Sequence, residues 1–162
     1  LDTFFVRTFN ERRRDIVWKK KEKIIKTTFR EALEVLKFKD ERNHSDKSIR
    51  SFEQVEIGYN GLGTQIFSGI KSKNSEGLIS KDTVKDHLIG SQLIGEHVHE
   101  VLKNSNYNID WMVNEWLYKH LYLWATVKLT KQEHQKDNVI RNEHTIEQKL
   151  KLEHYKHVSD LI

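Results

Sequence analysis

Apolar positions three and four residues apart recur along most of this chain and predict a mostly helical protein. Residues 11–38 form the longest such pattern, with a strongly basic opposite face, and predict one long helix. A shorter apolar stripe spans residues 93–102. A longer stripe follows Asn108, a favourable N-cap residue, and ends at Trp124. Each stripe can bury one face of a helix, so these segments are expected to form the core.

Two short segments break the helical pattern and predict strands. Residues 84–87 form a candidate strand that ends on Asp86 and His87, and Gly90 soon afterwards favours a break. Residues 126–129 form a second candidate strand, which runs directly into a helix. Thr130 and Glu133 have the spacing of a capping box, which places the start of that helix at Thr130. The same helix would then carry His134 in its first turn and Asn138 one turn later on the same face.

The segments between these elements give weaker signals. Residues 39–51 are polar and predict a loop, whereas residues 52–70 alternate weakly between apolar and polar side chains. On the two central helices, His97 and His120 fall on the apolar stripes and are expected to be core histidines, whereas His99 is expected to face outward. Beyond residue 138 the pattern predicts a further amphipathic helix.

Charge is unevenly distributed over the 162 residues, whose net charge is +4. Residues 1–50 carry 15 basic against 9 acidic side chains, and residues 51–162 carry 13 against 15. This asymmetry predicts a basic helical arm over residues 1–50, suited to a polyanion, and a near-neutral core over residues 51–162. The chain has no cysteine, which excludes disulfides and thiolate metal sites and fits a reducing, cytoplasmic compartment. The absence of a long apolar run argues against a membrane partner.

The Asp-His strand end, the second strand and the helix that carries His134 together resemble the HNH, or ββα-metal, endonuclease family. The junction Leu129-Thr130-x-x-Glu133-His134 is most similar to phage-borne and homing-type members. The resemblance covers about a third of the chain, from residue 81 to residue 138. It implies an α+β fold in which a small β-hairpin and a helix form the ββα-metal core and the residues between the two motif halves form a helical insertion.

The same resemblance implies a role for each matching residue. His87 corresponds to the general base, while Asp86 and His134 correspond to ligands of one divalent ion. Asn138 corresponds to the last position of the motif, where it would assist the ion. Mg²⁺ is the metal implied first, and Mn²⁺ or Zn²⁺ also suits a carboxylate and imidazole donor set. The implied reaction is hydrolysis of a phosphodiester bond in double-stranded DNA by an activated water.

Basic side chains are the expected contacts to the DNA backbone. They are Arg12, Arg13, Arg14, Lys19, Lys20, Lys23 and Lys131. Two other functions fit the same sequence. In one, the basic helix serves a nucleic-acid-binding protein without catalysis. In the other, the long amphipathic helices serve a structural or interaction protein, and the basic face is an ordinary solvated surface.

Overall fold

The computed structural model of this chain describes residues 3–59, 66–71, 78, 80–87 and 89–132. The first element is a long helix, α1. The α-helices are α1 (Thr3–Glu41), α2 (Asp46–Phe52), α3 (Ser91–Asn104), α4 (Ile109–Trp111) and α5 (Leu117–His120). Two π-helical segments are π1 (Glu53–Tyr59) and π2 (Met112–Trp116), and 3₁₀ turns span Ser80–Asp82 and Leu121–Trp124. The strands are β1 (Ile66–Lys71), β2 (Thr83–His87) and β3 (Ala125–Thr130). Helices dominate the described residues, as predicted, and none of them is long and apolar enough to cross a bilayer.

The three strands form one small mixed sheet in the order β1-β3-β2. Central β3 pairs with β2 in the antiparallel direction and with β1 in the parallel direction. β2 and β3 match the two predicted strands to within one residue at each end. After β3 the chain is helical at Lys131 and Gln132, where a helix was predicted to begin. The predicted α+β class is therefore confirmed at the level of a mostly helical chain with a small sheet.

Helix α1 supplies a large share of the hydrophobic core. Four of its side chains are fully buried: Ile25, Phe29, Leu33 and Leu36. Phe29 stacks on Trp116 with 6.1 Å between ring centroids and meets Trp124 edge-on at 6.0 Å. Trp124 also donates from Nε1 to the carbonyl oxygen of Ile57 at 2.8 Å. The described core therefore takes in residues from both sides of the predicted boundary at residue 50.

The region between α1 and the sheet differs from its prediction. Residues 39–51 were expected to form a loop, but α1 continues to Glu41 and α2 begins at Asp46. Ser45 is the N-cap of α2, and its Oγ accepts from the backbone N–H of Ser48 at 3.2 Å. The weak alternation after residue 52 belongs to π1, a wider helix than the α-helix that side-chain periodicity usually identifies.

The expectation for the three histidines was wrong in its details. His97 is exposed, and His120 is half-buried, stacked on Trp116 with 4.4 Å between ring centroids. His99, which was expected to face outward, is only 4% exposed. The buried face of α3 extends toward Gly95 and His99 because π1 packs there, and the stripe pattern alone does not indicate on which flank a neighbouring helix lies.

Two glycines let α3 and π1 approach each other closely. A Cβ atom at Gly95 would lie 2.1 Å from the backbone oxygen of Glu53, and one at Gly58 would lie 1.9 Å from the backbone oxygen of Ser91. Both distances are far shorter than any contact a real Cβ makes, so only glycine fits at either position. This close approach sets His99 of α3 beside Glu53 of π1.

Candidate functional site

The β2–β3 ladder has two chemically different faces. The paired positions include Lys85 with Lys128 and His87 with Thr126, and, alternating with them, Val84 with Leu129 and Asp86 with residue 127. Directly paired residues share a face, and neighbours along a strand point to opposite faces. One face of the ladder therefore carries His87 and the two lysines, and the other carries Asp86 among apolar neighbours.

The face with His87 combines an imidazole with positive charge. His87 is 5% exposed and lies opposite fully buried Thr126. Lys85 is exposed, Lys128 is half-buried and donates to the backbone oxygen of Leu78 at 3.5 Å, and the two lysines lie directly opposite each other on the ladder. The ring of Tyr59, which is 60% exposed, lies 6.0 Å from the His87 ring. These groups could hold an anion beside a base that accepts a proton.

Asp86 lies on the other face of the ladder and is only 2% exposed. Its neighbours on that face are Val84 and Leu129. Asp86 and His87 could reach one phosphate together only if β2 ended between them, but the pairing of β2 with β3 continues through His87. The alternation of a paired strand therefore does not bring Asp86 and His87 to one point.

The metal site implied by the resemblance is only partly within the described residues. His134 and Asn138 lie outside them. Within the described part of the chain, no three His, Asp or Glu side chains are arranged to hold a metal ion. Asp86 supplies one carboxylate of the expected donor set, so the set is not complete without ligands beyond residue 132.

The predicted DNA contacts have different surroundings. Lys19, Lys20, Lys23 and Lys131 are exposed, whereas the side chains of Arg12 and Arg13 lie outside the described residues. Arg14 is engaged within the fold: its guanidinium lies 4.2 Å from the centroid of the Tyr118 ring and pairs with Asp15 at 3.2 Å. A hydrogen bond donated by Tyr118 lowers the pKa of Asp15, and the same bond raises the pKa of Tyr118. Arg14 therefore helps attach α1 to α5.

Sequence reasoning missed a buried polar network centred on His99. Its Nδ1 lies 2.8 Å from Oε2 of Glu53, and its Nε2 lies 2.7 Å from Oδ2 of Asp40. Tyr107 donates to the same Asp40 oxygen at 2.9 Å, and the Nε2 of Gln92 lies 3.4 Å from Oε1 of Glu53. One imidazole thus joins α1, π1 and α3.

The chemistry of this network follows from its two short nitrogen–oxygen contacts. Each contact needs one hydrogen, so one ring and two carboxylates together hold two hydrogens and a single net negative charge. Tyr107 adds a third donor, although its φ of 58° is costly for a bulky residue. Burial raises the pKa of Tyr107, and its hydrogen bond to Asp40 raises it further. The network is satisfied by its own members.

The sequence contained one signal for this network. Gly95, His99 and Leu102 follow each other at spacings of four and three residues, which places them on one helix face. A glycine on such a face indicates a closely packed neighbour, and a histidine one turn later would then be buried. Nothing in the pattern identifies Asp40 or Glu53, which are 59 and 46 residues from His99.

A scan against protein-family models and searches of curated proteins and of solved structures find no match to this chain. The assignment to the HNH family therefore stays a proposal that depends on the residues around β2 and β3.

Proposed function

We propose that this protein is a metal-dependent DNA endonuclease of the HNH type in which His87 is the general base. The observation that carries the proposal is the order of elements around His87. β2 ends on this residue, pairs antiparallel with β3, and β3 leads directly into a helical turn at Lys131. This is the strand, strand and helix order that the resemblance implies.

The residues beside His87 suit the attack of water on a phosphodiester. The neutral imidazole accepts a proton from the water. Lys85 and Lys128 lie on the same face as His87 and would attract the phosphate and offset charge that develops on its oxygens. The exposed ring of Tyr59 stands beside the imidazole, where a nucleotide could contact it.

The resemblance assigns a divalent ion to Asp86, His134 and Asn138. Such an ion would stabilise negative charge on the phosphate and on the leaving 3′ oxygen, provided that the end of β2 turns on DNA binding so that Asp86 and His87, which lie on opposite faces of the paired strand, reach the same phosphate. Because two of these three residues lie outside the described part of the chain, the ligand assignment is tested by variants rather than argued from geometry.

Cleavage of supercoiled plasmid tests the proposal. The parent protein is incubated with plasmid in Mg²⁺ or Mn²⁺ and, in parallel, in chelator. We expect conversion to nicked or linear DNA only with metal. His87→Ala should reduce the rate by at least about 100-fold, the usual contribution of a general base. Asp86→Asn and His134→Ala should each lose cleavage together with metal affinity measured by calorimetry.

The matched control is His97→Ala, since His97 is an exposed histidine on α3. This variant should cut as the parent does, and its preparation also reports any contaminating nuclease. Circular dichroism of His87→Ala separates loss of the base from loss of the fold. Full cleavage by folded His87→Ala would exclude the proposed mechanism.

A second candidate is a nucleic-acid-binding protein without catalysis. One observation favours it: Lys19, Lys20, Lys21 and Lys23 form an exposed basic run on α1. A run of this kind contacts phosphates and releases counterions, which makes binding strongly dependent on salt.

Binding measured over a range of salt concentrations tests this second candidate. Neutralising Arg12, Arg13 and Lys19 together should reduce the slope of log affinity against log salt by about two to three units. Neutralising three basic residues elsewhere (Lys37, Lys47 and Lys103) gives the matched control. Tight, metal-independent binding with no cleavage by the parent would favour this candidate over the nuclease.

A further inference from the structure

Helix α1 carries a second apolar stripe on the side that faces away from the core. Its members are four large, exposed side chains: Ile16 (49%), Ile24 (63%), Val35 (38%) and Phe38 (49%). An α-helix turns by about 100° per residue, so these four side chains project within one sector of about 100° around the helix axis. The buried side chains of α1 lie on the opposite side of the helix. One buried face is enough to hold a helix to its own core, and the outer stripe lies outside that core, although Phe38 contacts the ring of His44 at 5.9 Å and the guanidinium of Arg42 at 5.2 Å.

Charged residues accompany the outer stripe in a definite order. Lys20 and Lys23 lie in its first half, and Glu31 and Glu34 lie in its second half. All four are exposed, and among the described residues none of them forms an ion pair. The order follows the charge of the whole helix, since residues 12–30 carry 9 basic against 2 acidic side chains, while residues 31–41 carry 4 acidic against 2 basic.

We propose that the outer stripe pairs in the antiparallel direction with the outer stripe of a second copy of this chain. With a two-fold axis at Thr27, Ile16 lies opposite Phe38 of the second copy. Lys20 then lies opposite Glu34, and Lys23 lies opposite Glu31. These three pairs are placed symmetrically, about 11, 7 and 4 residues on either side of Thr27, as an isologous two-fold interface requires. In the same register Ile24 lies opposite Arg30 and Val35 lies opposite Lys19, so Ile16 and Phe38 form the apolar contact and the two lysine–glutamate pairs form the charged one.

Charge selects the second copy and its direction. A parallel pair would set Lys20 against Lys20 and Glu34 against Glu34, which repel each other. A polyanion would attract the lysines but would repel Glu31 and leave the four apolar side chains exposed. The antiparallel pair provides each charge with its opposite, and the two-fold axis makes each ion pair occur twice.

The dimensions of the stripe set the expected strength of the dimer. The stripe extends over about 33 Å from Ile16 to Phe38 and is about one helix wide. Such a contact lies at the small end of specific interfaces, so the dimer should dissociate on dilution and weaken in salt. Lys20 and Lys23 have glutamate partners in the dimer, which leaves Lys19 and Lys21 for a polyanion.

The mass of the full-length protein in solution is the first test. Sedimentation equilibrium at about 10 and 200 μM should detect reversible association toward twice the chain mass of 19.4 kDa. Ile16→Glu should give a monomer, because Ile16 lies opposite Phe38 of the second copy and its replacement leaves the core intact. The control Val55→Glu changes an apolar residue of similar exposure on π1, outside the stripe, and should keep the dimer. A parent that is monomeric at both concentrations, or a dimer that persists in Ile16→Glu, would overturn the proposal.

A charge exchange tests the antiparallel register. Lys20→Glu with Lys23→Glu, and separately Glu31→Lys with Glu34→Lys, should each be monomeric because like charges then face each other. A one-to-one mixture of these two variants restores every ion pair and should form a heterodimer. Failure of the mixture to associate, when both variants are folded, would exclude this register. Glu31→Lys with Glu34→Lys also adds positive charge to α1. If this variant is monomeric but binds DNA as well as the parent or better, the dimer interface and DNA binding are independent of each other.

A disulfide tests the position of the two-fold axis, since the chain has no cysteine of its own. In the dimer, Thr27 should lie opposite Thr27 of the second copy. When the two helix axes are about 8–10 Å apart, the facing Cα atoms are about 3.5 to 5.5 Å apart, which overlaps the range that a disulfide spans. Thr27→Cys should therefore form a covalent dimer on mild oxidation. Lys21→Cys, about 120° away around the helix, should not. Equal cross-linking of the two variants would contradict the proposed axis.

Discussion

His99 joins three elements through a single ring, because Asp40 belongs to α1, Glu53 to π1 and His99 itself to α3. The side chain of His99 is 5% exposed, and those of Asp40 and Glu53 are 16% and 7% exposed. Carboxylates this deeply buried are stable only while they keep their partners. The consequence for one residue is large: without the ring, both carboxylates would lose the hydrogen-bond partner that they share.

We predict that His99→Gln lowers the free energy of unfolding by about 3–5 kcal/mol, as expected when a buried charge loses its partner. The amide can reach one carboxylate but cannot bridge both. Urea unfolding followed by circular dichroism measures the change. His97→Gln, an exposed histidine on the same helix, is the control and should stay within about 0.5 kcal/mol of the parent. A loss below about 1 kcal/mol in His99→Gln would contradict a structural role for the bridge.

Tyr107 gives the network a pH dependence in the alkaline range. Burial and the hydrogen bond to Asp40 raise the pKa of Tyr107 above its ordinary value of 10.0. A group with a raised folded-state pKa contributes stability that is fully present below its unfolded pKa and is lost as pH rises through the folded pKa. We therefore predict that Tyr107→Phe costs about 1–2 kcal/mol at pH 7 to 9.

The difference in unfolding free energy between the parent and Tyr107→Phe should shrink above about pH 10. The parent then loses the hydrogen bond from Tyr107 to Asp40, which the variant already lacks. Unfolding of parent and variant by urea at a series of pH values measures it, and other titrating groups cancel in the subtraction. A difference that stays constant up to about pH 12 would show that the phenol does not donate to Asp40.

At the scale of elements, the contact between α3 and π1 depends on two glycines. We predict that Gly95→Ala lowers the free energy of unfolding by about 1–3 kcal/mol, the usual cost of overpacking, because its Cβ would collide with the backbone of Glu53. Alanine favours a helix over glycine by up to about 1 kcal/mol, so a gain in stability would show that the two helices are farther apart. Lys103→Ala on the exposed side of α3 is the control and should be nearly neutral.

The elements that the sequence predicted well have local causes. Asn108 caps the helical stretch after it, with its Oδ1 accepting from the N–H of Trp111 at 3.0 Å, and the stripes of α1 and α3 follow helical spacing. β2 and β3 were predictable because both segments interrupt the helical spacing of the apolar positions. The pairing of these strands across nearly forty residues was an inference from the resemblance.

The elements that the sequence predicted poorly depend on tertiary contacts. The π-helical turn of π1 places Glu53, Ile57 and Gly58 on the buried side, a spacing that α-helical periodicity does not recognise. His99 is buried because π1 lies against α3: Gly95 indicates a close neighbour on that face of α3, but nothing local identifies π1 as the neighbour. For the candidate site, the sequence identified Asp86 and His87 as the end of β2. Their convergence required the strand to end between them, and the pairing of β2 with β3 instead continues through His87.

At the scale of the whole molecule, α1 carries exposed basic residues and also forms part of the core, so a division at residue 50 would separate it from residues that it packs against. The described core cluster includes α1 residues from Val17 to Leu36 together with Trp124 at the end of the helical region. Arg14 and Asp15 also contact Tyr118 of α5. Helix α1 is thus part of the core along most of its length, whatever its basic residues bind.

We predict that residues 51–162 do not fold without α1. Removing residues 1–50 deletes four fully buried side chains and exposes Trp116 and Trp124. Replacing a single buried Leu or Phe by Ala costs about 2–5 kcal/mol. The summed loss of stability therefore exceeds the stability of a typical domain. The fragment should lack cooperative thermal unfolding by circular dichroism. A chain of residues 14–162 keeps every member of the described core cluster and should unfold as cooperatively as the full chain. Cooperative unfolding of the 51–162 fragment would show that the core is complete without α1, and that residues 1–50 are a separate arm.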